Sequence, residues 1–414
     1  MSTRGVNINR TVWILAMVSL FADFASEMLY PVVPLYLKEI GFSIALIGVL
    51  EGIAEFVVGL TKGYFGNLSD QRGRRLPFVR MGYALSAVSK PLMAVFIYPA
   101  WIFFARTIDR LGKGMRSAAR DSILAGESTP QTRARVFGFH RGWDTVGAVL
   151  GPAAALAFLH FYPGSYRPLF FWAFIPGVIS VALLFLLREK KIIKHEKEEF
   201  QLQKKPTNFF SFFSFWREGS QEYRRLVSGL LLFALANSSD AFLLLQAKAI
   251  TGSDTITISA YIFYNIIYAG AAYPMGMLAD RWGMKKTLIV GMALFVLVYS
   301  GFAFMSLNAG KILADYAFLV FILFLLYGIY AAATEGISKA WLSNTVDPNK
   351  TATALGLYGS LQSICTLISS TLAGFIWVIW GASFTFIVAA TLAITSLIWL
   401  LLVPVRNESS SQAS

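Results

Sequence analysis

Eleven ionisable side chains sit inside stretches otherwise apolar enough to lie in lipid, and their spacing is where chemistry could begin. Asp23 and Glu27 stand at i and i+4, so they share one face of a helix, and Glu51 and Glu55 repeat the spacing. Lys90 follows, then Arg106, Asp109, Arg110 and Lys113, then Arg141 and Asp144, giving six acids against five bases. On insertion scales a charge at the bilayer centre costs about 2.5–3.5 kcal/mol. Eleven unpaired charges would therefore cost roughly 30 kcal/mol, beyond the roughly 5–15 kcal/mol by which folded chains are stable. The set must pair internally or line water. Structural ion pairing accounts for any one of these residues, whereas the whole set points to an ion or solute route. A carboxylate beside a removable cation can exchange between ionised and protonated forms, because desolvation opposes its charge and the cation favours it. Asp23, Glu27, Glu55 and Asp109 are the candidate proton carriers, with Asp23, Glu27 and Arg106 nearest the middle of their spans. Lys90, Arg106, Arg110 and Lys113 are the candidate partners, either for those acids or for an anionic group on a solute.

The second half of the chain offers different chemistry. Asn237, Asp240 and Gln246, then Tyr264, Asn265 and Tyr268, then Tyr358 and Gln362 supply hydrogen bonds and flat contact area with little fixed charge, as a solute surface does. Glu335 and Lys339 stand at i and i+4 and can satisfy each other as an intrahelical pair. The spacing therefore predicts coupling concentrated in the first half and recognition shared between both.

The elements that must hold these residues are membrane helices. The chain has 414 residues, 56% hydrophobic and 14% charged, with a mean hydropathy of +0.59, far more apolar than a soluble domain. About 20 apolar residues cross a bilayer, and that ruler places spans at 11–37, 43–67, 76–96, 98–121, 134–160, 168–188, 224–248, 256–279, 286–307, 315–343, 351–378 and 382–404. The net charge of +13 comes mostly from short connections rather than a soluble basic face, which argues against nucleic acid as a partner. Arg72, Arg74 and Arg75, Arg133 and Arg135, the stretch Arg188 to Arg225, and Arg281, Lys285 and Lys286 load one set of connections, and the alternating set carries only Lys38, Arg167, Lys248 and Lys311. By the positive-inside rule both termini face the cytoplasm of a cell whose inner membrane the chain spans. Asp23 and Glu27 interrupt the first apolar run and no small-residue cleavage site follows it, so the start reads as an uncleaved span rather than a signal peptide. Residues 189–223 form the one long polar connection, a charge run followed by Phe209, Phe210, Phe212, Phe213, Phe215 and Trp216. This segment suits an interdomain linker whose second part lies at the headgroups or docks a partner.

Cutting the chain at that linker exposes a repeat. Gly66-Asn-Leu-Ser-Asp70-Gln-Arg72-Gly73-Arg74-Arg75 returns as Gly276-Met-Leu-Ala-Asp280-Arg281-Trp-Gly283-Met-Lys285-Lys286, each after the second span of its half. A weaker echo pairs Arg133-Ala-Arg-Val-Phe-Gly138 with Thr351-Ala-Thr-Ala-Leu-Gly356, each opening a fifth span. At these residues the chain resembles the major facilitator superfamily, whose pattern between spans two and three is G-x-L-A-D-R-x-G-R-R/K. The resemblance covers the whole chain and implies an all-α membrane protein of twelve transmembrane helices in two pseudo-symmetric six-helix bundles, 1–188 and 224–414, with a substrate site between them. It also implies a gating role for Gly66, Asp70, Arg72, Arg74, Gly276, Asp280 and Arg281, with Asp70 paired to Arg74 and Asp280 to Arg281 to hold the cytoplasmic side closed. Arg106, Gly112 and Gly114 are similar to the family's fourth-span pattern, although Arg110 replaces its first glycine. Gly147-Ala-Val-Leu-Gly151-Pro152 resembles its antiporter pattern without the closing glycines, and close packing of small residues explains that run as well.

Among the function classes, ATP hydrolysis finds no G-x-x-x-x-G-K-[ST] loop, and Gly112-Lys113-Gly114 is too short to cradle phosphate. Cys365 is the only cysteine, and His140, His160 and His195 match no metal-ligand spacing, so neither metal, cofactor nor catalytic constellation is expected. The expectation is a monomeric secondary transporter working by alternating access with protons, a small solute and the bilayer as its partners. Proton-coupled movement of a small organic anion stands first, and proton-coupled drug or metabolite efflux second. A membrane enzyme or receptor is disfavoured by the repeat.

Overall fold

A computed structural model describes residues 8–30, 32–189, 208–307 and 316–402. The charge run expected within the linker, Lys311 and the polar tail lie outside the described residues, as does the side chain of Glu51.

Helices account for nearly all of the described chain. The first bundle comprises α1 (Arg10–Leu29) with the short α2 (Val32–Glu39), α3 (Ile44–Arg72), α4 (Leu76–Val95), α5 (Pro99–Gly126), α6 (Arg133–Phe161) and α7 (Tyr166–Leu184). After a short helical segment that ends in α8 (Phe215–Glu218), the second bundle comprises α9 (Gln221–Ala236) with α10 (Ala241–Thr251), α11 (Asp254–Trp282), α12 (Met284–Leu307), α13 (Tyr316–Asn344), α14 (Thr351–Trp380) and α15 (Ala382–Leu402). Among the described residues nine helices, counting α9 and α10 as one, are long and apolar enough to cross a membrane. The other three of the expected twelve, α3, α4 and α5, are 29, 20 and 28 residues long. They fall short in apolarity as they carry most of the first bundle's charges within the spans, and partners rather than lipid must satisfy those charges.

The spans expected at 11–37 and 224–248 each fold as two helices. The first breaks where the sequence has Pro31, which supplies no N–H to a helical ladder. The second breaks at Asn237–Asp240, four polar residues whose side chains compete for backbone hydrogen bonds. Both breaks fall in the first span of a half, so the duplication extends to this detail.

The two halves meet along two seams, α3 on α14 and α6 on α11. The seams form where the repeats stand. Gly66 and Gly276 open the duplicated motif, and a methyl group on either would strike the partner half's backbone, at Ala352 O and Ala134 O respectively. Gly356 and Gly138 close the weaker echo, and they return the same contact against Lys62 O and Ala272 O. The two echoes found in the sequence are therefore opposite sides of the same joints: each motif docks crosswise on the echo belonging to the other half. Only glycine permits this approach of backbones.

Candidate functional site

Between the seams lies a cavity of about 320 Å3 lined by both halves. From the first bundle come Asp23 of α1, Lys62 of α3, Lys113, Arg116, Arg120 and Asp121 of α5, and Arg141 and Asp144 of α6. The second bundle contributes Phe233, Asn237, Tyr330, Glu335, Lys339, Tyr358 and Gln362 among others. Beside it a much smaller pocket of about 30 Å3, room for about one water, gathers Glu27, Lys90, Arg106, Asp109 and Arg110 and shares Asp23, Lys113 and Arg116 with the cavity. Larger hollows of about 500 and 400 Å3 lie elsewhere, among side chains such as Trp143, Ile266 and Phe24, and their walls hold no ionisable carboxylate or cation.

The buried charges are paired, and the pairing sorts them. Asp109 accepts from Lys90 Nζ at 2.8 Å, from Ser86 Oγ at 2.6 Å and from Ser89 Oγ at 3.2 Å, and Arg106 stands 3.7 Å away. Lys90 also donates to Ser26 Oγ at 3.1 Å, tying α4 to α1. A carboxylate so fully occupied is a fixed anchor, which separates Asp109 from the expected proton carriers. Glu55 on α3 lies 3.4 Å from Arg110, with its own side chain 56% exposed. Asp23 of α1 and Asp144 of α6 both stand at the cavity wall. Two carboxyl groups facing one space can join only with a proton between them, which makes their meeting place one where a proton could be held.

Across the cavity the second bundle answers the first. Glu335 pairs with Arg141, and Lys339 Nζ donates to Asp121 Oδ2 at 2.7 Å. The expected intrahelical pair of Glu335 with Lys339 is therefore wrong. Each side chain turns toward the other bundle, where Arg141 and Asp121 offer an opposite charge. Arg141 also holds Asp144 and donates through Nε to Tyr268 Oη at 2.6 Å, while Arg120 grips Asp121 at 2.9 Å. Behind Arg120 a buried network joins Ser19 Oγ, Tyr83 Oη and His140 Nε2, with Ser19 3.0 Å from Tyr83 and 2.8 Å from His140.

Of the expected solute contacts, Lys113, Asn237, Glu335, Lys339, Tyr358 and Gln362 line the cavity, whereas Lys90, Arg106 and Arg110 stand in the adjoining pocket. Asp240, Tyr264, Asn265 and Tyr268, also expected there, do not line the cavity and are taken up by contacts around it, Tyr268 by Arg141. Tyr327 Oη donates to Asp240 Oδ1 at 2.6 Å, Tyr264 packs on Tyr327 with ring centroids 5.0 Å apart, and Asn265 Nδ2 donates to Tyr261 O at 3.0 Å. Sequence reasoning missed Lys62, Arg116, Arg120, Asp121 and Tyr330. The stripe Arg106, Arg110, Lys113, Arg120 at three- and four-residue steps with one repeat skipped was readable on a helical wheel and extends the cationic face to the end of α5.

The motif residues also differ in partner from expectation. Asp70 Oδ2 accepts from the Thr353 N–H at 2.7 Å and from Thr353 Oγ1 at 2.9 Å, in the first turn of α14, and Asp70 Oδ1 accepts from Arg75 Nη2 at 3.1 Å. Arg74, its expected partner, is exposed. The cause is Gly73, whose φ of 60° ends α3 and turns the chain so that Arg75 folds back under Asp70 and reaches Pro348 O at 2.6 Å. In the second copy Asp280 accepts from the N–H groups of Ala134 and Arg135 at 3.0 and 3.2 Å and from Arg135 Nε at 2.6 Å. Arg281, one residue on and about 100° around the helix, is exposed instead. Arg72 lies over the Phe78 ring at 5.7 Å. Each Asp therefore caps a helix of the opposite half, where first-turn N–H groups lack helical partners and the helix dipole favours an anion.

The linker's aromatic run touches the same seam. Phe212 is buried beneath Gly63 of α3, Ser211 Oγ accepts from Asn67 Nδ2 at 2.9 Å, and Lys350 at the head of α14 donates to Glu218 at 3.1 Å. That hydrogen bond holds the Glu218 carboxyl below its ordinary range.

Comparison with known proteins agrees with this architecture. The sequence model described as Major Facilitator Superfamily matches residues 15–307 and 226–414. An MFS-type transporter of Methanocaldococcus jannaschii is 30% identical over 404 residues, covering 96% of this chain and 95% of that protein. The class C tetracycline resistance protein of Escherichia coli is 27% identical over 374 residues, covering 86% of each. Among solved structures, a human organic anion transporter superposes with a TM-score of 0.73 at 16% identity, covering 94% of this chain and 99% of its own.

Proposed function

We propose, from the premise that the chain belongs to the major facilitator superfamily and is a multi-pass membrane transporter rather than an enzyme, that it is a monomeric, proton-coupled carrier of a small organic anion. It works by alternating access in the inner membrane. The loaded set of basic connections supports placing both termini, and the face bearing Asp70 and Asp280, in the cytoplasm. Division of the chain into 1–188, a linker at 189–223 and 224–414 makes the two rocking units.

The observation that carries the anion reading is the charge balance of the cavity. Six cations line it against four carboxyl groups. Asp121 is taken by Arg120 and Lys339, and Arg141 by Asp144 and Glu335. Lys62, Lys113 and Arg116 form no salt bridge among the described residues, although Arg116 lies 4.1 Å over the Tyr83 ring and Lys62 donates to Ser363 Oγ at 3.3 Å. Three cations facing one cavity without a carboxylate apiece favour an anionic guest.

In the proposed cycle the Asp23 and Asp144 pair holds the proton. With the proton shared, Arg141 is drawn to Glu335 and the halves stay joined. When the proton leaves, both carboxylates compete for Arg141, Arg116 and Lys113, which weakens the bridge to Glu335 and takes up cations that would otherwise hold an anion. Glu27, set in the adjoining pocket, is the second candidate carrier. The two caps at Asp70 and Asp280 keep the cytoplasmic side shut, so that the cavity serves the opposite side in this conformation.

Flux in proteoliposomes tests the reading. An imposed pH gradient should drive uptake or release of an organic anion, and Asp23→Asn should abolish that drive while leaving ligand binding in place. Undiminished gradient-driven flux in Asp23→Asn would contradict the coupling, and transport of lipophilic cations with no response to anions would favour the efflux reading. The tetracycline resistance relative gives that second reading its support.

A further inference from the structure

The two seams between the halves come from one repeat, yet they differ at one position. Three residues before Gly66 and Gly276 stand Gly63 on α3 and Tyr273 on α11. Tyr273 carries its own ring to the joint and meets Phe139 of α6, in the other half, edge to face with centroids 5.7 Å apart. Gly63 has no side chain to offer, and the ring at its seam comes from the linker. Phe212 is 1% exposed and occupies the space that a Cβ on Gly63 would need. The same glycine donates its N–H to Ser360 Oγ of α14 at 2.9 Å, so α3, α14 and the linker meet at one residue.

The contacts on either side of Phe212 divide between the halves. Toward the first bundle, Phe209 stacks on Tyr64 with centroids 5.0 Å apart, and Ser211 accepts from Asn67. Gly63, Asn67 and Asp70 stand at i, i+4 and i+7, so the face of α3 that takes the linker is the face that caps α14. Toward the second bundle, Phe212 and Phe215 belong to its hydrophobic core, where Phe215 meets Tyr223 edge to face at 5.3 Å. Glu218 holds Lys350, Ser220 Oγ donates to Thr345 O at 3.4 Å, and α9 begins at Gln221, directly after them. The second bundle therefore carries the segment by covalent chain and core packing, whereas α3 holds it only by a seated ring, a stacked ring and a hydrogen bond.

Resting on the alternating-access reading above, we infer that residues 208–218 are a clasp: Phe212 seated on Gly63 holds α3 to α14 while the motif side is shut, and the ring leaves α3 when that side opens. A side chain buried between two bodies stabilises only the state in which they touch, and that difference between states is what biases a conformational equilibrium. The linker thus supplies to one seam the ring that the other seam carries in its own helix, and it does so on the side that Asp70 and Asp280 close.

Two measurements on the full chain in vesicles of known orientation, each in a Cys365→Ser background, test the clasp. In the first, Thr366→Cys, which lines the cavity, is labelled with a membrane-impermeant maleimide applied to the motif face. Adding Phe212→Ala should raise that labelling by about tenfold or more, the shift expected when a fully buried aromatic contact is lost from one of two states. In the second, Gly63→Cys is combined with Phe212→Cys, and the yield of disulfide under mild oxidation is read; the flanking contacts of Phe209 and Ser211 still seat the segment. The bond should form readily with Asp70 and Asp280 intact, and its yield should fall severalfold in the Asp70→Asn, Asp280→Asn chain. Should Phe212→Ala fail to fold, the two disulfide yields decide. Labelling unmoved by Phe212→Ala, or equal disulfide yields while removal of the caps opens Thr366→Cys to the motif face, would overturn the clasp and leave alternating access standing. Labelling from the motif face in none of these chains would overturn both.

Discussion

The two bundles are built on one repeat, yet they solve the problem of polar groups in lipid in opposite ways. The first keeps its charges and pairs them: Lys90 with Asp109, Arg110 with Glu55, Arg120 with Asp121. The second carries fewer: beside Glu335 and Lys339, which pair across the cavity, and Asp240, it offers phenols and amides, and Tyr264, Tyr327 and Tyr330 are held by ring contacts and single hydrogen bonds such as Tyr327 to Asp240. Ion pairs exchange partners when a proton or an anion arrives, whereas neutral aromatic surface does not. On the proposed reading the duplicated scaffold divides its labour, with most of the exchangeable charge on one side of the cavity and most of the aromatic surface on the other.

Removing one member of a buried pair should expose the contrast most strongly. Lys90→Met strips Asp109 of its nearest cation and leaves only Arg106 at 3.7 Å, a loss of up to about 3–5 kcal/mol for a buried pair broken on one side. Thermal unfolding of the purified variant should show it as the most damaging of these changes. Lys90→Met with Asp109→Asn, which keeps an acceptor for Ser86 and Ser89 but no charge, should recover most of the loss; failure to recover would show that the pair is more than a neutralised structural anchor.

The two caps should behave alike where the walls do not. Asp70→Asn and Asp280→Asn each remove a charged acceptor from the first turn of a helix in the opposite half, about 1.5–3 kcal/mol for hydrogen bonds to a charged group. Matched drops in midpoint would support the crosswise docking, and a large effect at one site with none at the other would break the symmetry argued from the repeat. In the second bundle, Tyr327→Phe takes one donor from Asp240 and should cost about 1.5–3 kcal/mol, below Lys90→Met in the same assay.

The smallest effect belongs to the linker. Glu218 and Lys350 are both more than half exposed, so Glu218→Gln should change stability by at most about 1 kcal/mol and less in high salt. Its sign follows from the lowered carboxyl: the contribution is present above the unfolded value of about 4.3 and lost as pH falls through the lower folded value. Unfolding midpoints of the two chains should therefore converge in acid.

Much of this was readable in the sequence, and what was not shares one cause. Span lengths, the duplicated motif and its echo, and the contrast between charged and aromatic halves all follow from local pattern, since bilayer thickness and backbone approach act on neighbours in the chain. Pairing across the cavity leaves no such trace. Glu335 and Lys339 have the spacing of an intrahelical pair, and nothing local reveals that Arg141 and Asp121, on other helices, claim them. Asp70 finds Arg75 rather than Arg74 because a left-handed glycine turns the chain between them, a half-turn that a motif pattern does not encode. The full reach of the cationic stripe on α5 was within reach of the helical period.

The cavity between the bundles, shut on the side of Asp70 and Asp280, is the claim on which the rest depends, and reactivity of a single thiol tests it. Thr366, which lines the cavity from α14, is replaced by Cys in a Cys365→Ser background, and a membrane-impermeant maleimide is applied to vesicles of known, opposite orientations. The account predicts labelling from the face opposite the Asp70 motif, with labelling from the motif face emerging in the Asp70→Asn, Asp280→Asn chain. Labelling from the motif face with both aspartates intact, or none from either face, would contradict it.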